Sequence, residues 1–234
     1  MANPALPDQV RAALAALADT ARAPQMQAYM KSAMPYMGVG AVPMRQACKT
    51  IFADLRYADA QSWQADVHAI WRGALYLEDY YAAIELCATR AARPFQRIAA
   101  LPLYEEMITT GAWWDTTDAI ASNQLHDVLC NDRAAMTTAM LGWSNHANMW
   151  LRRSAIICQL KAKGKTDLDL LYAAIAPSLS SKEFFLRKAI GWALRQYAKT
   201  DPAEVRRYVA ANYQLLSNLS KREALKNIGA TAQD

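Results

Sequence analysis

Apolar residues recur at helical spacing along the whole chain, and the strict apolar–polar alternation of a strand is not evident. Only 8 Gly and 9 Pro interrupt the 234 residues, which favours helices over a strand-rich sandwich. Hydrophobic residues make up 53% of the chain and charged residues 20%, a balance typical of a packed globular core. The sequence therefore predicts an all-α protein.

Turn residues divide this pattern into short helices. Pro43 is expected as the first residue of a helix after a loop that starts at Gly38, and Asp201 with the proline after it predicts a cap and a new start. Short helices in pairs resemble the hairpin repeats of HEAT or armadillo proteins, and we predict one HEAT-like superhelical domain over 1–234 with a basic concave face. The later helices are expected at 60–75, 77–92, 94–110, 113–129, 132–143, 148–163, 167–177, 181–199, 201–214 and 220–228.

The net charge of +5 is concentrated in one part of the chain. From Trp150 to the end there are 15 Lys and Arg against 7 Asp and Glu, whereas the remainder has 11 against 14. A basic C-terminal part predicts a polyanionic partner such as nucleic acid, the alternative being an ordinary solvated surface. Since neither a secretory signal nor a membrane-length apolar run is evident, we expect a cytoplasmic monomer.

Cysteines and histidines give no sign of a metal or cofactor site. The cysteines lie far apart without metal-type spacing and are expected to be reduced thiols. The histidines show no ligand spacing, and neither a phosphate-binding loop nor a nucleophile elbow is present. These residues are Cys48, Cys87, Cys130 and Cys158, and His68, His126 and His146.

Three segments combine aromatic and charged residues. In WWDTTD, helical spacing aligns Trp114 with Asp118, four positions later, although an ordinary surface Asp beside a partly buried Trp is the alternative. In the helix from Phe184 to Lys199, Trp192 lies off the apolar stripe. It falls among Lys188, Arg195 and Lys199, which predicts a phosphodiester-binding surface unless lysine stems or a neighbouring helix cover the indole.

The third segment begins with two arginines in the first turn of a helix. Cations there oppose the helix dipole, so Arg152 and Arg153 need another partner. A phosphate is one candidate, and an acidic neighbour such as Asp118 is the other.

Together these segments resemble the AlkD family of DNA alkylation repair glycosylases, which have a HEAT-like superhelical fold. The resemblance is carried by WWDTTDAIA (113–121), MWLRRSAIICQLK (149–161), EFFLRKAIGWALRQYAKTDP (183–202) and LSKREALKNI (219–228), with AYMKSAMPYMGV (28–39) near the start. It implies cofactor-free excision of cationic purines, chiefly 3-methyladenine and 7-methylguanine, from duplex DNA. A non-catalytic DNA-binding scaffold and a protein-binding adaptor of the same fold remain as alternatives.

The resemblance also implies roles for individual residues. Asp118 would be the catalytic carboxylate, Trp114 and Trp192 would contact the backbone of the damaged nucleotide, and Arg153 would hold a nearby phosphate. The sequence departs from the family in the loop from Gly38 to Arg45, which puts contacts near the lesion in doubt. Further DNA contacts are expected from Tyr29, Arg45, Arg152, Lys161, Lys188, Arg195 and Lys199.

Overall fold

The computed structural model describes residues 3–228, and every regular element in that range is a helix, which confirms the all-α prediction. The chain divides into two compact units between Leu103 and Tyr104. None of the helices in this range has the length and apolar character needed to cross a membrane. In chain order the α-helices are α1 (Leu6–Ala15), α2 (Ala23–Met30), α3 (Ala41–Ile51), α4 (Ala60–Arg72), α5 (Leu77–Cys87), α6 (Leu101–Gly111), α7 (Trp114–Ile120), α8 (His126–Asn131), α9 (Arg133–Ser144), α10 (Met149–Ile157), α11 (Leu168–Ile175), α12 (Phe184–Tyr197), α13 (Pro202–Ala211) and α14 (Asn218–Leu225).

In the first unit, α1, α3, α4 and α5 pack around a shared core that contains Trp63 and Leu14. A buried carboxylate fixes the loop that leads into α3. Glu78 of α5 accepts hydrogen bonds from the backbone N–H groups of Gly38 and its two neighbours at 2.9–3.1 Å. Gly38 has φ +86°, and a Cβ there would lie 2.1 Å from the carbonyl oxygen of Asp19, so this position requires glycine.

In the second unit, α10 packs against α7, α9, α11 and α12, and α12 packs closely against α14. Between α7 and α8 the helix widens into a π turn at Ala121–Leu125 and continues without a break. The α12–α14 contact depends on Gly191, because a Cβ there would lie 2.5 Å from the Cβ of Glu223. Ser220 of α14 also donates a hydrogen bond to the carbonyl of Arg187 at 3.0 Å.

Several predicted helix ends are confirmed, and others are shifted. Asp201 caps α13, accepting from the N–H of Glu204 at 2.9 Å, with proline as the first helical residue. Helix α3 begins at Ala41, so Pro43 lies inside its first turn, where a missing N–H costs no helical hydrogen bond. The helix expected over 94–110 begins only at Leu101, because the preceding residues form 3-10 turns. The helix expected over 148–163 ends at Ile157 and is followed by turns.

Candidate active site

The WWDTTD string forms the start of α7. Trp113 has an extended backbone and precedes the first helical residue, Trp114. Asp118 follows one turn later, so its side chain lies beside that of Trp114 on the helix surface. Trp114 is half-buried, and the side chain of Asp118 keeps 15% of its exposure. The carboxylate therefore lies at the edge of the protein interior, with limited access to solvent.

Arg153 of α10 holds both carboxylate oxygens of Asp118. Its Nε donates to Oδ1 at 2.7 Å and its Nη2 donates to Oδ2 at 2.8 Å. The remaining nitrogen, Nη1, donates to the backbone carbonyl of Phe185 at 2.5 Å. One guanidinium group therefore connects α7, α10 and the start of α12. Bidentate pairs of this kind combine strong hydrogen bonds with a fixed geometry.

This geometry identifies one of the two partners that the sequence offered for Arg153. Its side chain is 5% exposed and all three guanidinium nitrogens donate to protein oxygens. The acidic neighbour, Asp118, is the partner that the structure supports. These bonds use three of the five guanidinium N–H groups, so the phosphate contact that the family resemblance implied for Arg153 stays a prediction.

Opposing effects act on the ionisation of Asp118. Burial raises the pKa of this carboxyl above its ordinary value, the hydrogen bonds and charge of Arg153 oppose the rise, and the nearby charge of Asp115 adds to it. The pKa of Asp118 is raised as the net result. Both carboxyl oxygens accept from Arg153, an arrangement that suits the ionised form.

A cluster of aromatic rings reaches Arg153 through Phe185. The ring centroids of Trp113, Trp150 and Phe185 lie 5.0–6.0 Å from one another. The guanidinium carbon of Arg153 lies 5.8 Å from the centroid of Phe185. Phe184 packs edge-on against Phe185 and is 57% exposed. The pair itself is largely buried, with side-chain exposures of 5% for Arg153 and 15% for Asp118, which strengthens its electrostatic attraction.

The predicted cationic surface around Trp192 is altered by α14. Trp192 is half-buried on α12. Lys188 Nζ lies 3.0 Å from Glu223 Oε1, and Arg195 Nη1 lies 2.5 Å from Glu223 Oε2. The hydrogen bond and charge of Lys188, with the charge of Arg195, lower the pKa of Glu223. One carboxylate of α14 therefore pairs with both cations, and their contact with DNA stays a prediction. Lys199 is exposed and donates to Gln196 at 2.9 Å.

Arg152 and Lys161 have different surroundings. Arg152 Nη2 donates to Ser178 Oγ at 2.9 Å and to the carbonyl of Pro177 at 3.1 Å, so this side chain ties α10 to the turn after α11. Lys161 is exposed, and its Nζ donates to Asn123 Oδ1. Of these two predicted DNA contacts, Lys161 keeps the greater access to solvent.

Tyr29 and Arg45 belong to the first unit. Tyr29 is 78% exposed on α2. Arg45 on α3 is also exposed, and its Nε lies 3.3 Å from Glu85 Oε1. Both side chains are accessible within their own unit, and their contact with DNA stays a prediction.

The four cysteines are free thiols, three of them buried and Cys130 exposed. Burial raises the pKa values of Cys48 and Cys158 to about 12, so these two thiols are protonated at neutral pH. His126 lies with Nδ1 3.2 Å from the carbonyl oxygen of Cys158. Over residues 3–228, His, Cys, Asp and Glu side chains form no cluster of three or more suited to a metal ion.

Sequence reasoning missed three residues near these side chains. Glu223 pairs with two predicted DNA contacts, Gly191 lets α14 approach α12, and Asn123 receives the ammonium of Lys161. Only Gly191 carried a usable signal, because a glycine inside a helix often marks a close contact. The partners of Glu223 and Asn123 depend on which helices pack together, and a local pattern does not contain that information.

The fold and the site define a class: an all-helical protein in which the guanidinium of Arg153, close to the ring of Phe185, fixes the carboxylate of Asp118. A family model described as "DNA alkylation repair enzyme" matches residues 10–228, and the chain belongs to this family. The description of this family indicates DNA as the substrate of its members.

A solved structure described as "Predicted DNA alkylation repair enzyme from Enterococcus faecalis" is similar in both sequence and fold. It is 28% identical, has a TM-score of 0.82, and the match covers 93% of this chain and 98% of that one. The search of curated proteins finds no match.

Proposed function

We propose that this protein is a DNA glycosylase that hydrolyses the N-glycosidic bond of cationic alkylated purines, chiefly 3-methyladenine and 7-methylguanine, in duplex DNA as a step of base excision repair. One observation carries the proposal. Asp118 presents a carboxylate that Arg153 fixes in place, largely desolvated and still 15% exposed, in a chain that belongs to a DNA repair family.

The substrate itself supplies much of the reactivity. Alkylation of a ring nitrogen places a formal positive charge on the purine, so the base departs neutral and needs no protonation by the enzyme. The deoxyribose left behind gains oxocarbenium character, with positive charge near the anomeric carbon. An enzyme for this reaction needs an anion near the sugar and a well-placed water, and it needs no nucleophilic lysine.

Asp118 meets that need. Its carboxylate stabilises the positive charge that develops on the sugar, and it orients the attacking water. Because Arg153 fixes both oxygens in advance, little reorganisation is required during the reaction. The half-buried indoles of Trp114 and Trp192 would pack against the sugar–phosphate backbone of the lesion, where an electron-rich ring favours nearby positive charge.

The remaining predictions concern how the duplex is held. We infer a HEAT-like superhelix whose basic concave face grips the backbone and leaves the damaged base largely unpocketed. Such a mode would restrict excision to labile, cationic bases while tolerating bulky adducts. The side chains proposed to contact DNA directly are exposed: Tyr29, Arg45, Lys161 and Lys199. Three further cations are held by protein partners and are proposed to attract the duplex through their charge: Arg152, Lys188 and Arg195.

The decisive experiment measures base release from a 7-methylguanine duplex by wild type and by Asp118→Asn. Loss of this carboxylate should lower the single-turnover rate by about 10²–10³ while duplex binding is retained. Glu204→Gln is the matched control, because Glu204 also accepts two hydrogen bonds from one arginine, Arg207, but belongs to α13. Unchanged base release by Asp118→Asn would remove Asp118 from the catalytic role.

A non-catalytic DNA-binding scaffold is the second candidate. The observation in its favour is the burial of the Asp118–Arg153 pair, since an ion pair with side-chain exposures of 15% and 5% can serve structure alone. A scaffold predicts salt-sensitive duplex binding without base release from any alkylated duplex. For a scaffold, Asp118→Asn would lower the melting temperature and leave the affinity for duplex DNA unchanged.

A further inference from the structure

The side chain of Asn123 connects two parts of the second unit. It lies in the π turn that directly follows α7, and its Nδ2 donates to the backbone carbonyl of Ala119 at 2.6 Å. Its Oδ1 accepts from Nζ of Lys161, which lies beyond the end of α10. Two hydrogen bonds therefore link the lysine ammonium to the residue next to Asp118 in the chain.

The partner of Lys161 leaves its charge uncompensated. The amide of Asn123 is neutral, so the exposed ammonium keeps its full positive charge. The charge of Arg153, in contrast, is balanced by the carboxylate of Asp118. Lys188 and Arg195 share the carboxylate of Glu223. Lys161 thus combines three properties: a full charge, exposure to solvent and a fixed position close to α7.

The π turn supplies the backbone for this arrangement. Ser122 Oγ donates to the carbonyl of Asp118 at 2.6 Å, and Asn123 donates to the next carbonyl along the chain. Wider turns of this kind occur often at functional sites in proteins, because they redirect side chains relative to a regular helix. Both donors fold back over the turn that carries Asp118.

From these contacts we infer that Asn123 is a positioning residue: it holds the ammonium of Lys161 at the π turn that follows α7 so that the ammonium contacts a backbone phosphate of the DNA. The inference rests on the proposed function for its place in the reaction, while the phosphate contact itself requires only DNA binding. An aspartate at position 123 could accept the same hydrogen bond but would neutralise the lysine. The neutral amide is therefore the chemistry that keeps Lys161 both oriented and charged.

The test measures binding of a short unmodified duplex between about 50 and 200 mM salt, where each lost phosphate contact lowers the salt slope by about one unit. We expect Asn123→Asp to lower the slope by that amount and to weaken binding several-fold. Lys161→Ala should give the same change in slope. Asn123→Ala should weaken binding and leave the slope unchanged, since the charge remains but loses its orientation.

The double variant and a neighbouring control make the test specific. In the Lys161→Ala background, Asn123→Asp should cause no further loss of affinity, because the two residues act as one unit. Ser122→Ala, which removes the adjacent back-bond, should keep the wild-type slope. An unchanged slope for Asn123→Asp, or an equal loss of affinity with and without Lys161, would overturn the inference.

Base release separates this inference from the proposed function. With 7-methylguanine duplex, Asn123→Asp should raise KM and leave kcat close to the wild-type value. If wild type releases no base but the salt slopes change as expected, the glycosylase proposal fails and the role of Asn123 stands. If base release depends on Asp118 while the slopes do not respond to Asn123→Asp, the glycosylase proposal stands and the role of Asn123 fails.

Discussion

Replacing Arg153 by methionine tests the physical basis of the site most directly. Methionine has a similar length but provides neither charge nor N–H donors, so the variant removes the hydrogen bonds to Asp118 and to the carbonyl of Phe185. Asp118 then keeps its buried position without a counter-charge. The variant should therefore affect both folding stability and the ionisation of the carboxylate.

The size of the stability effect follows from burial. Breaking a buried ion pair by removing one partner costs about 3–5 kcal/mol. Because the side chain of Asp118 is 15% exposed, the lower part of that range applies, about 3 kcal/mol. For a chain of this size, 1 kcal/mol corresponds to about 2–4 °C in melting temperature, so we expect a decrease of about 6–12 °C.

The same substitution should change the pH dependence. Without Arg153, burial of Asp118 is no longer opposed, and the pKa of this carboxyl rises further. The proposed reaction needs the anion, so the acid limb of base release should move to higher pH. The folded-state pKa lies above that of the unfolded chain, so the stability linked to Asp118 is full below the unfolded pKa and is lost as pH rises through the folded value. The melting temperature of Arg153→Met should therefore fall further behind wild type at pH 8 than at pH 5.

Calorimetry and single-turnover base release across pH 5–9 provide the two measurements. The double variant Asp118→Asn with Arg153→Met should regain part of the lost melting temperature, because no charge is left buried, while base release stays low. An Arg153→Met variant with the wild-type melting temperature and an unchanged acid limb would refute the reasoning, since the guanidinium would then neither stabilise nor tune the carboxylate.

Two further predictions concern regions outside the carboxylate pair. Gly191→Ala should destabilise the protein by about 1–3 kcal/mol, because the new Cβ would lie 2.5 Å from that of Glu223 and force α14 away from α12. Thermal unfolding measures this loss of stability. Gly142→Ala is the control, because a Cβ at that helix position meets nothing within 4 Å. Hydrogen bonds from Arg207 and Tyr172 lower the pKa of Glu204 to about 2 from 4.5, so its stabilising effect is present above pH 4.5 and is lost as pH falls towards 2. The gap in melting temperature between wild type and Glu204→Gln should therefore be constant near neutral pH and close in acid; a constant gap down to pH 2 would contradict the assignment.

Much of the fold could be predicted because its signals are local. Apolar spacing gives the helices, and a cap such as Asp201 before a proline fixes where α13 begins. The ends of α6 and α10 were misplaced because 3-10 and other turns share the composition of helices. The π turn at Ala121–Leu125 was missed for the same reason, since one wider turn leaves the apolar pattern almost unchanged.

The site was predictable in its residue types and less so in its pairings. The spacing of Trp114 and Asp118 is a property of one helix, and the structure keeps it. The partner of Arg153 lies 35 positions away in the chain, so the sequence could offer a phosphate and Asp118 only as equal alternatives. Likewise, Glu223 pairs with Lys188 and Arg195 from another helix, which a helical wheel of α12 alone cannot reveal.

The ion pair between Asp118 and Arg153 affects the electrostatic field that a polyanion meets as it approaches the site. An isolated carboxylate would repel the phosphates of a duplex from a distance, whereas a paired anion and cation form a dipole whose field falls off much faster. In the proposed function, an approaching duplex is therefore attracted by exposed cations such as Lys161 at a greater distance than it is repelled by Asp118. Only a positive centre within a few ångströms of the carboxylate experiences the anion, so in the proposed reaction the binding of the duplex and the stabilisation of the sugar cation do not conflict.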